Sequence, residues 1–370
     1  GMEANELDSS KEYTLDTTQS TCTYKDGSTI NNLSISYNSE TKELQISPFT
    51  TKGTKCTLYF NEVVAVSDTL LANYPTQLTR TDFSTTVTET TTGTIYYADT
   101  SKGRTYYFAG NPTDNWVSFG GFYWRIIRIN EDGTIRMIYQ GTSANTTGTG
   151  TQIQESAFNS TRTNNMYVGY MYQSNQVHGL TSSSTIKGIL DNWYRDNLAA
   201  DYGDKIDGNA GFCGDREPST NEINSNGSGG TGTIQTYYGA YIRLYGNNKA
   251  PTFECSNNSD LYTTSGSEDG NKALTYPIGL ITVDEVAYAG GVWGTANQSY
   301  YLYTSSVYWT MSPFEFYATS SSAIVFVVYI GGNLNSNSVN STRGIRPVIN
   351  LKANVTIQSG DGSSSSPYVI

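Results

Sequence analysis

The four cysteines of the chain fall into two widely separated pairs. Cys22 and Cys56 flank a turn-rich stretch near the N-terminus, and Cys213 and Cys255 flank a long polar segment. No CxxC motif and no Cys/His cluster accompanies them, which argues against a zinc site or a redox motif. Four cysteines allow three connectivities, but the spacing favours two structural disulfides, which are typical of exported proteins.

The length of 370 residues leaves room for one small and one large folded unit. We predict a small antiparallel β unit over residues 1–66, a linker over 67–92 and a large unit over 93–370, with a long inserted loop near 205–275. A bond between Cys22 and Cys56 would stabilise the small unit by roughly 3 to 4 kcal/mol through loop closure.

Short β-type segments separated by turn residues make the predicted fold mainly β, with an α+β large unit. In the small unit they are Tyr13–Leu15, Leu33–Tyr37, Glu43–Ile46 and Thr57–Phe60. In the large unit they are Thr105–Phe108, a hairpin turning at Glu131-Asp132-Gly133, Ser306–Met311, Ala323–Ile330 and Ile345–Leu351.

Helical patterns are few. Ser184 is a predicted cap for a helix whose apolar residues Ile186, Ile189, Leu190 and Trp193 share one face. The sequence Thr282-Val283-Asp284-Glu285 predicts a capping box at the start of a second helix, which Gly290-Gly291 would end. A single helical turn is predicted from Asp68 to Asn73.

The charge balance excludes some partners. The chain has 22 Lys and Arg against 33 Asp and Glu, a formal net charge of −11. Such a charge repels phosphate backbones and anionic lipid surfaces, so we expect no nucleic acid partner. The 30 tyrosines, with abundant Ser, Gly and Asn, suit loop-based recognition but are also simply good strand residues.

No stretch of the sequence is apolar and long enough to span a membrane. Gly1 before Met2 is typical of the remnant of a cleaved tag, so any native leader or anchor is expected to precede Met2. We therefore expect membrane association only through an anchor that this sequence lacks.

Several segments of the large unit together resemble a group of uncharacterised surface proteins of gut Gram-positive bacteria, over about Tyr96 to Ile370. They are Trp124–Ile138, Asp191–Tyr194, Gly279–Glu285, Tyr308–Pro313 and Gly344–Ile349. More distantly, the order of elements is similar to the C-type-lectin-like and formylglycine-generating-enzyme-like folds. The resemblance implies a small disulfide-linked β domain followed by a C-type-lectin-like α+β domain.

This chain departs from both distant relatives. It has no cysteine after Cys255, whereas formylglycine-generating enzymes need a cysteine pair near their C-terminal strands. Calcium-dependent lectins carry Glu-Pro-Asn or Gln-Pro-Asp with Trp-Asn-Asp, and the nearest match here is Glu217-Pro218-Ser219. Acidic segments at 204–207 and 268–271 leave a calcium ion open as a cofactor, with no other cofactor expected.

The sequence contains no catalytic signature. The only histidine, His178, has no nucleophile motif beside it, and nothing selects a carboxylate pair for glycoside hydrolysis. We therefore expect a non-enzymatic, adhesin-like protein at the cell surface or in the medium that binds a glycan or a surface protein. A structural stalk or pilus-like subunit is the alternative, and a glycan-active hydrolase is the third hypothesis.

The ligand is expected on the Cys213–Cys255 loop and on a second loop from Ser312 to Ser322. The candidate binding residues are Asp215, Arg216, Glu217 and Trp293, because polar and aromatic side chains on long loops commonly carry recognition.

Overall fold

The computed structural model describes residue 7 and residues 13–39, 41–48, 52–62, 65–219, 229–246 and 249–370. The fold is mainly β with a few helices, as the sequence predicts.

The N-terminal residues form three nested antiparallel strand pairs. The strands are β1 (Tyr13–Leu15), β2 (Thr21–Thr23), β3 (Ser34–Asn38), β4 (Glu43–Ser47), β5 (Lys55–Thr57) and β6 (Phe60–Glu62). Strand β1 pairs with β6, β2 with β5 and β3 with β4. Cys22 lies directly opposite Cys56 in the β2–β5 pair and is bonded to it, which confirms the predicted disulfide.

The remaining described residues carry four α-helices: α1 (Val66–Ala72), α2 (Thr185–Asn197), α3 (Ala199–Tyr202) and α4 (Val283–Ala289). The strands are β7 (Thr76–Leu78), β8 (Thr90–Thr91), β9 (Thr94–Thr100), β10 (Gly103–Tyr107), β11 (Asn111–Pro112), β12 (Trp116–Phe119), β13 (Phe122–Ile129), β14 (Ile135–Gly141), β15 (Gln154–Ser156), β16 (Met171–Tyr172), β17 (Ser182–Ser183), β18 (Phe212–Cys213), β19 (Thr236–Tyr237), β20 (Leu261–Tyr262), β21 (Tyr308–Tyr317), β22 (Ser322–Val328), β23 (Leu334–Ser338), β24 (Arg343–Ile345), β25 (Val348–Leu351) and β26 (Tyr368–Val369). Short 3-10 turns lie at Gly148–Thr151, Asn165–Val168, Gly203–Lys205, Asn258–Asp260 and Ala318–Ser320, and a π-helical turn lies at Tyr241–Tyr245.

Two large sheets organise these elements. The first has the strand order β25-β14-β13-β10-β9-β7, with β12 joining β13 to β26. The second has the order β15-β24-β21-β22-β23, with β19 added on β21. One apolar core contains side chains from both sheets and from α1, α2 and α4, including the fully buried Trp124 and Trp309.

The segment 67–92, predicted as a linker, contains regular structure that packs on the first sheet. Val66, Leu70 and Tyr74 are buried in the common core. Strand β7 pairs with β9, and the β8 strand pairs with β11. The predicted single helical turn is the two-turn helix α1. The segment is ordered by burial of its apolar side chains, while the division into domains stays a prediction.

Both predicted helix caps are present. The Ser184 hydroxyl accepts a hydrogen bond from the Lys187 N–H, and Thr282 and Glu285 form a reciprocal capping box. Gly290 ends α4 in the left-handed region at φ 114°, where a Cβ would meet the Val87 backbone. The predicted hairpin is the antiparallel β13–β14 pair.

Two predicted strands are each divided in the structure. Residues 57–60 belong to two strands, because β5 pairs with β2, which carries the disulfide partner, whereas β6 pairs with β1. Residues 345–351 divide at Arg346-Pro347, where the chain passes from the second sheet to the first. Proline has no N–H for a sheet ladder, so it suits this crossing point.

The prediction of a loop from Ser312 to Ser322 is wrong. Most of it is the second half of β21, followed by a 3-10 turn and the start of β22. The buried side chains of Phe314 and Phe316 explain why this stretch stays in the sheet. Irregular pairing around Pro313 accommodates the proline within the strand.

Most of the Ser-, Asn- and Gly-rich stretch 221–232 lies outside the described residues. Among the residues that are described, no helix is both long enough and apolar enough to cross a membrane.

Candidate functional site

Aromatic rings gather beside the second large sheet in what we call the aromatic face: Tyr237, Tyr241, Tyr245, Trp293 and Phe314. The ring centroids of Tyr237 and Tyr241 are 4.3 Å apart, and those of Tyr241 and Tyr245 are 4.6 Å apart. Trp293 stacks on Phe314 at 5.0 Å and meets Tyr245 edge-on at 4.9 Å. These are favourable aromatic geometries, and they make one continuous row of rings.

Three elements bring these rings together. Strand β19 places Tyr237 beside β21, which carries Phe314. The π-helical turn then presents Tyr241 and Tyr245 on one side, and such turns are frequent at functional sites. Trp293 follows the glycines that end α4 and is fixed by a backbone bridge to Leu334.

The aromatic face is only partly covered. Phe314 is buried and forms its base, whereas Tyr237, Tyr241 and Trp293 are half-buried. Tyr245 is 44% exposed, unusually high for a ring that contacts three other aromatic side chains. The face therefore offers a fixed aromatic surface to solvent.

Sequence reasoning selected Trp293 for this surface but missed Tyr241 and Tyr245. A signal was present, because Tyr237, Tyr241 and Tyr245 are spaced four residues apart. Residues at this spacing share one side of a helical turn. The short segment has no other helical pattern, so the spacing alone does not predict a helical turn.

Cys213 and Cys255 are bonded, with Cα atoms 5.4 Å apart, as the sequence predicts. The two disulfides indicate an oxidising, extracellular environment. The segment between these cysteines contains β19 and the π-helical turn. The disulfide therefore closes the base of the segment that carries three rings of the aromatic face.

Arg243 lies on the same π-helical turn as Tyr241 and Tyr245 but binds acids inside the protein. Its guanidinium donates from Nε to Asp284 at 2.9 Å and from one terminal nitrogen to Asp284 at 2.7 Å and to Asp215 at 2.6 Å. Burial acts to lower the pKa of Arg243, but Asp284 and Asp215 outweigh it and raise that pKa.

Asp215 and Arg216, both predicted as binding residues, are buried at 3% and 2% exposure. Asp215 accepts hydrogen bonds from Arg243 and, at 2.7 Å, from the Ser256 hydroxyl. Burial raises the pKa of Asp215. Arg216 donates from Nε to Asp260 at 2.8 Å and from a terminal nitrogen to the Met171 carbonyl at 2.7 Å. These bonds hold both side chains inside the fold, where Asp215 lines a polar cavity and Arg216 does not. The binding role of both residues stays a prediction.

Glu217, a third predicted binding residue, reaches the surface, with its side chain 47% exposed. Its carboxylate lies 3.2 Å from His178 Nε2, and His178 Nδ1 lies 3.1 Å from the buried Asp260. The pKa of His178 is raised, and the hydrogen bond to Asp260 is the largest cause. Burial and the charge of Arg216 act to lower this pKa, whereas the charge of Glu217 raises it further. The imidazole thus bridges a buried and an exposed carboxylate.

A polar cavity of about 200 Å³ lies on the inner side of the Cys213–Cys255 segment. Its floor contains the Arg243 cluster and Glu285, which pairs with Arg136 at 2.5 Å and with Arg128 at 3.2 Å. Burial favours the neutral carboxyl, but the two guanidinium groups lower the pKa of Glu285. These charges are paired with one another, an arrangement that supports the fold.

The part of the chain that the structure describes has no group of three or more His, Cys, Asp or Glu side chains placed to hold a metal ion. The acidic segments 204–207 and 268–271 are within this part. The Asp269 carboxylate pairs with Lys102, and Asp204 lies in the 3-10 turn Gly203–Lys205. Asp207 accepts hydrogen bonds from the N–H groups of Asn209 and Ala210.

We predict that Arg243→Met lowers the free energy of unfolding by about 3 to 5 kcal/mol, because two buried carboxylates lose their common cation. Arg243→Lys keeps the charge but loses the bidentate contact with Asp284. Its free energy of unfolding should lie between those of the unaltered protein and Arg243→Met. Urea denaturation measures both. The control is Arg104→Met, because the Arg104–Asp99 pair is exposed and its loss should change the free energy of unfolding much less. Equal costs for the two methionine variants would contradict this account.

We also predict that the pKa of His178 lies above its ordinary value of 6.5. The contribution of protonated His178 to the stability of the folded protein is then fully present below about pH 6.5. This contribution is lost as the pH rises through the raised folded-state pKa. Since His178 is the only histidine, its ring proton resonance gives a direct NMR titration. Glu217→Gln should lower the measured pKa. A value at or below 6.5 in the unaltered protein would refute the bridge.

A family model described as a domain of unknown function (DUF6273) matches residues 257–353. This range runs from β20 through β25 and contains α4 and Trp293. A search of curated proteins and a search of solved structures each found no match.

Proposed function

We propose that this chain is an extracellular, adhesin-like binding protein whose ligand is a glycan held at the aromatic face. The observation that carries the proposal is the row of four partly exposed rings, Tyr237, Tyr241, Tyr245 and Trp293, on a buried aromatic base. Exposed aromatic clusters of this kind mark interaction sites on proteins.

The chemistry of the face suits a sugar better than a purely apolar ligand. A pyranose ring has an apolar C–H side that packs on an aromatic ring, and hydroxyl groups around its edge that need hydrogen bonds. Tyrosine supplies both an apolar ring and a polar hydroxyl at low cost in rotamer entropy. Contacts between Tyr237, Tyr241 and Tyr245 fix these rings before the ligand arrives, which reduces the entropy lost on binding.

Other features support a role outside the cell. The two disulfides suit an oxidising compartment. The net charge of −11 disfavours nucleic acids and anionic lipid surfaces as partners. The C-type-lectin-like character of the large unit remains part of this proposal and rests on the order of segments in the sequence, since no solved structure matches the chain.

Binding, and not catalysis, is the activity we propose. In the polar cavity, Asp215, Asp284 and Glu285 are engaged with Arg243, Arg136 and Arg128, which leaves these three acids poorly placed to exchange protons with a substrate. His178 is held between Asp260 and Glu217. Rigid ion pairs of this kind support the shape of a binding surface.

We predict that Tyr245→Ala lowers glycan affinity at least tenfold, equivalent to about 1.4 kcal/mol, because the most exposed ring of the face is lost. The measurement is binding of labelled protein to a broad glycan array, with calcium and with chelator. Tyr245→Phe should retain most of the affinity if stacking dominates. Tyr59→Ala is the matched control, because Tyr59 is 47% exposed in the N-terminal unit. A blank array, or equal binding by Tyr245→Ala, would contradict the proposal.

A further inference from the structure

One carboxylate lies at the edge of the aromatic face. Glu315 on β21 is directly opposite Tyr237 on β19, and side chains in such a pair are neighbours. Its Oε2 accepts a hydrogen bond from the Gln235 amide nitrogen at 3.3 Å. The Gln235 amide oxygen in turn accepts from the Ala318 N–H at 2.8 Å, which fixes the amide. The Gln235 hydrogen bond thus engages one oxygen, Oε2, of the half-buried Glu315 carboxylate.

The Glu315 carboxylate has no ion pair with a lysine, arginine or histidine among the residues that the structure describes. The side chain is half-buried, so an unpaired charge here is costly for the fold. Burial raises the pKa of Glu315, and the one hydrogen bond from the half-buried Gln235 amide acts in the opposite direction. Further hydrogen-bond donors, such as those of a ligand, would stabilise the ionised carboxylate.

The tyrosine hydroxyls are close to this carboxylate. Burial is the main cause of the raised pKa of Tyr241, and Tyr237, Tyr245 and Glu315 each add to it. Glu315 thus lies near Tyr237 and Tyr241, at the Tyr237 end of the face. The other end has a cation, because Lys249 donates to the Leu244 carbonyl at 2.6 Å and to the Tyr245 carbonyl at 3.3 Å. The two ends of the face differ in charge.

We propose that Glu315 makes the aromatic face selective for neutral saccharides with adjacent hydroxyl groups. A carboxylate accepts two hydrogen bonds at once, so it can bind two neighbouring hydroxyls of a sugar that stacks on Tyr241. The same charge repels a sugar carboxylate or sulfate at that position. This inference rests on the proposed function and names the class of glycan that the face takes.

The test uses matched glycan pairs that differ only by a uronic carboxylate, a sialic acid or a sulfate group. We expect the unaltered protein to bind the neutral member at least tenfold more tightly than the anionic member. Glu315→Gln keeps the shape and can still accept from Gln235. It should weaken binding of the neutral member about tenfold through loss of charged hydrogen bonds, and should narrow the preference to about threefold or less.

Glu155→Gln is the control, because Glu155 is an exposed glutamate on β15 away from the aromatic face. This variant should leave unchanged both the affinity for the neutral glycan and the preference for it over the anionic glycan. Equal binding of neutral and anionic members by the unaltered protein would overturn this inference, and so would an unchanged preference in Glu315→Gln. If Tyr245→Ala abolishes binding while Glu315→Gln keeps the preference, only the selectivity is refuted. If Tyr245→Ala binds normally, the proposed function fails and the selectivity with it.

Discussion

The contact of Arg243 with Asp215 and Asp284 is the interaction on which the candidate site depends. Arg243 belongs to the π-helical turn, Asp215 follows the disulfide cysteine Cys213, and Asp284 lies in the first turn of α4. One guanidinium therefore joins three separate parts of the chain. Each carboxylate would be costly to bury alone, so the cluster is stable only when all three parts are in place.

This arrangement explains how a short helical turn on a polar insertion can hold an ordered surface. Arg243 points inward to the acids, while Tyr241 and Tyr245 on the same turn pack on Phe314. The Cys213–Cys255 bond restricts the base of the insertion, and β19 adds it to the second sheet. The buried charge cluster and the exposed aromatic face are thus two sides of one element. Preorganisation of this kind lowers the entropy that a ligand must overcome.

Much of the fold could be predicted because its signals are local. The cap at Ser184, the capping box at Thr282 and the β13–β14 turn are each encoded within a few residues. The number and placement of the cysteines predict two disulfides, whereas the pairing itself is given by the fold. Other features depend on contacts between residues that are distant in the sequence. The break at Arg346-Pro347 reflects a change of sheet. Residues 67–92 are ordered because they pack on a core that is formed mostly by other segments.

The site shows the same limit. Trp293 was selected from its residue type and position, but the partners that make it part of a surface come from β19, β21 and the π-helical turn. Asp215 and Arg216 were selected as polar loop residues, and only the fold shows that Arg243 and Asp260 hold them inside. The most direct measurement is a crystal structure of the protein with a neutral oligosaccharide selected on a glycan array. The account predicts a sugar ring stacked on Tyr245 or Tyr241, with hydroxyls on Glu315; sugar density in the polar cavity, with the aromatic face empty, would contradict it.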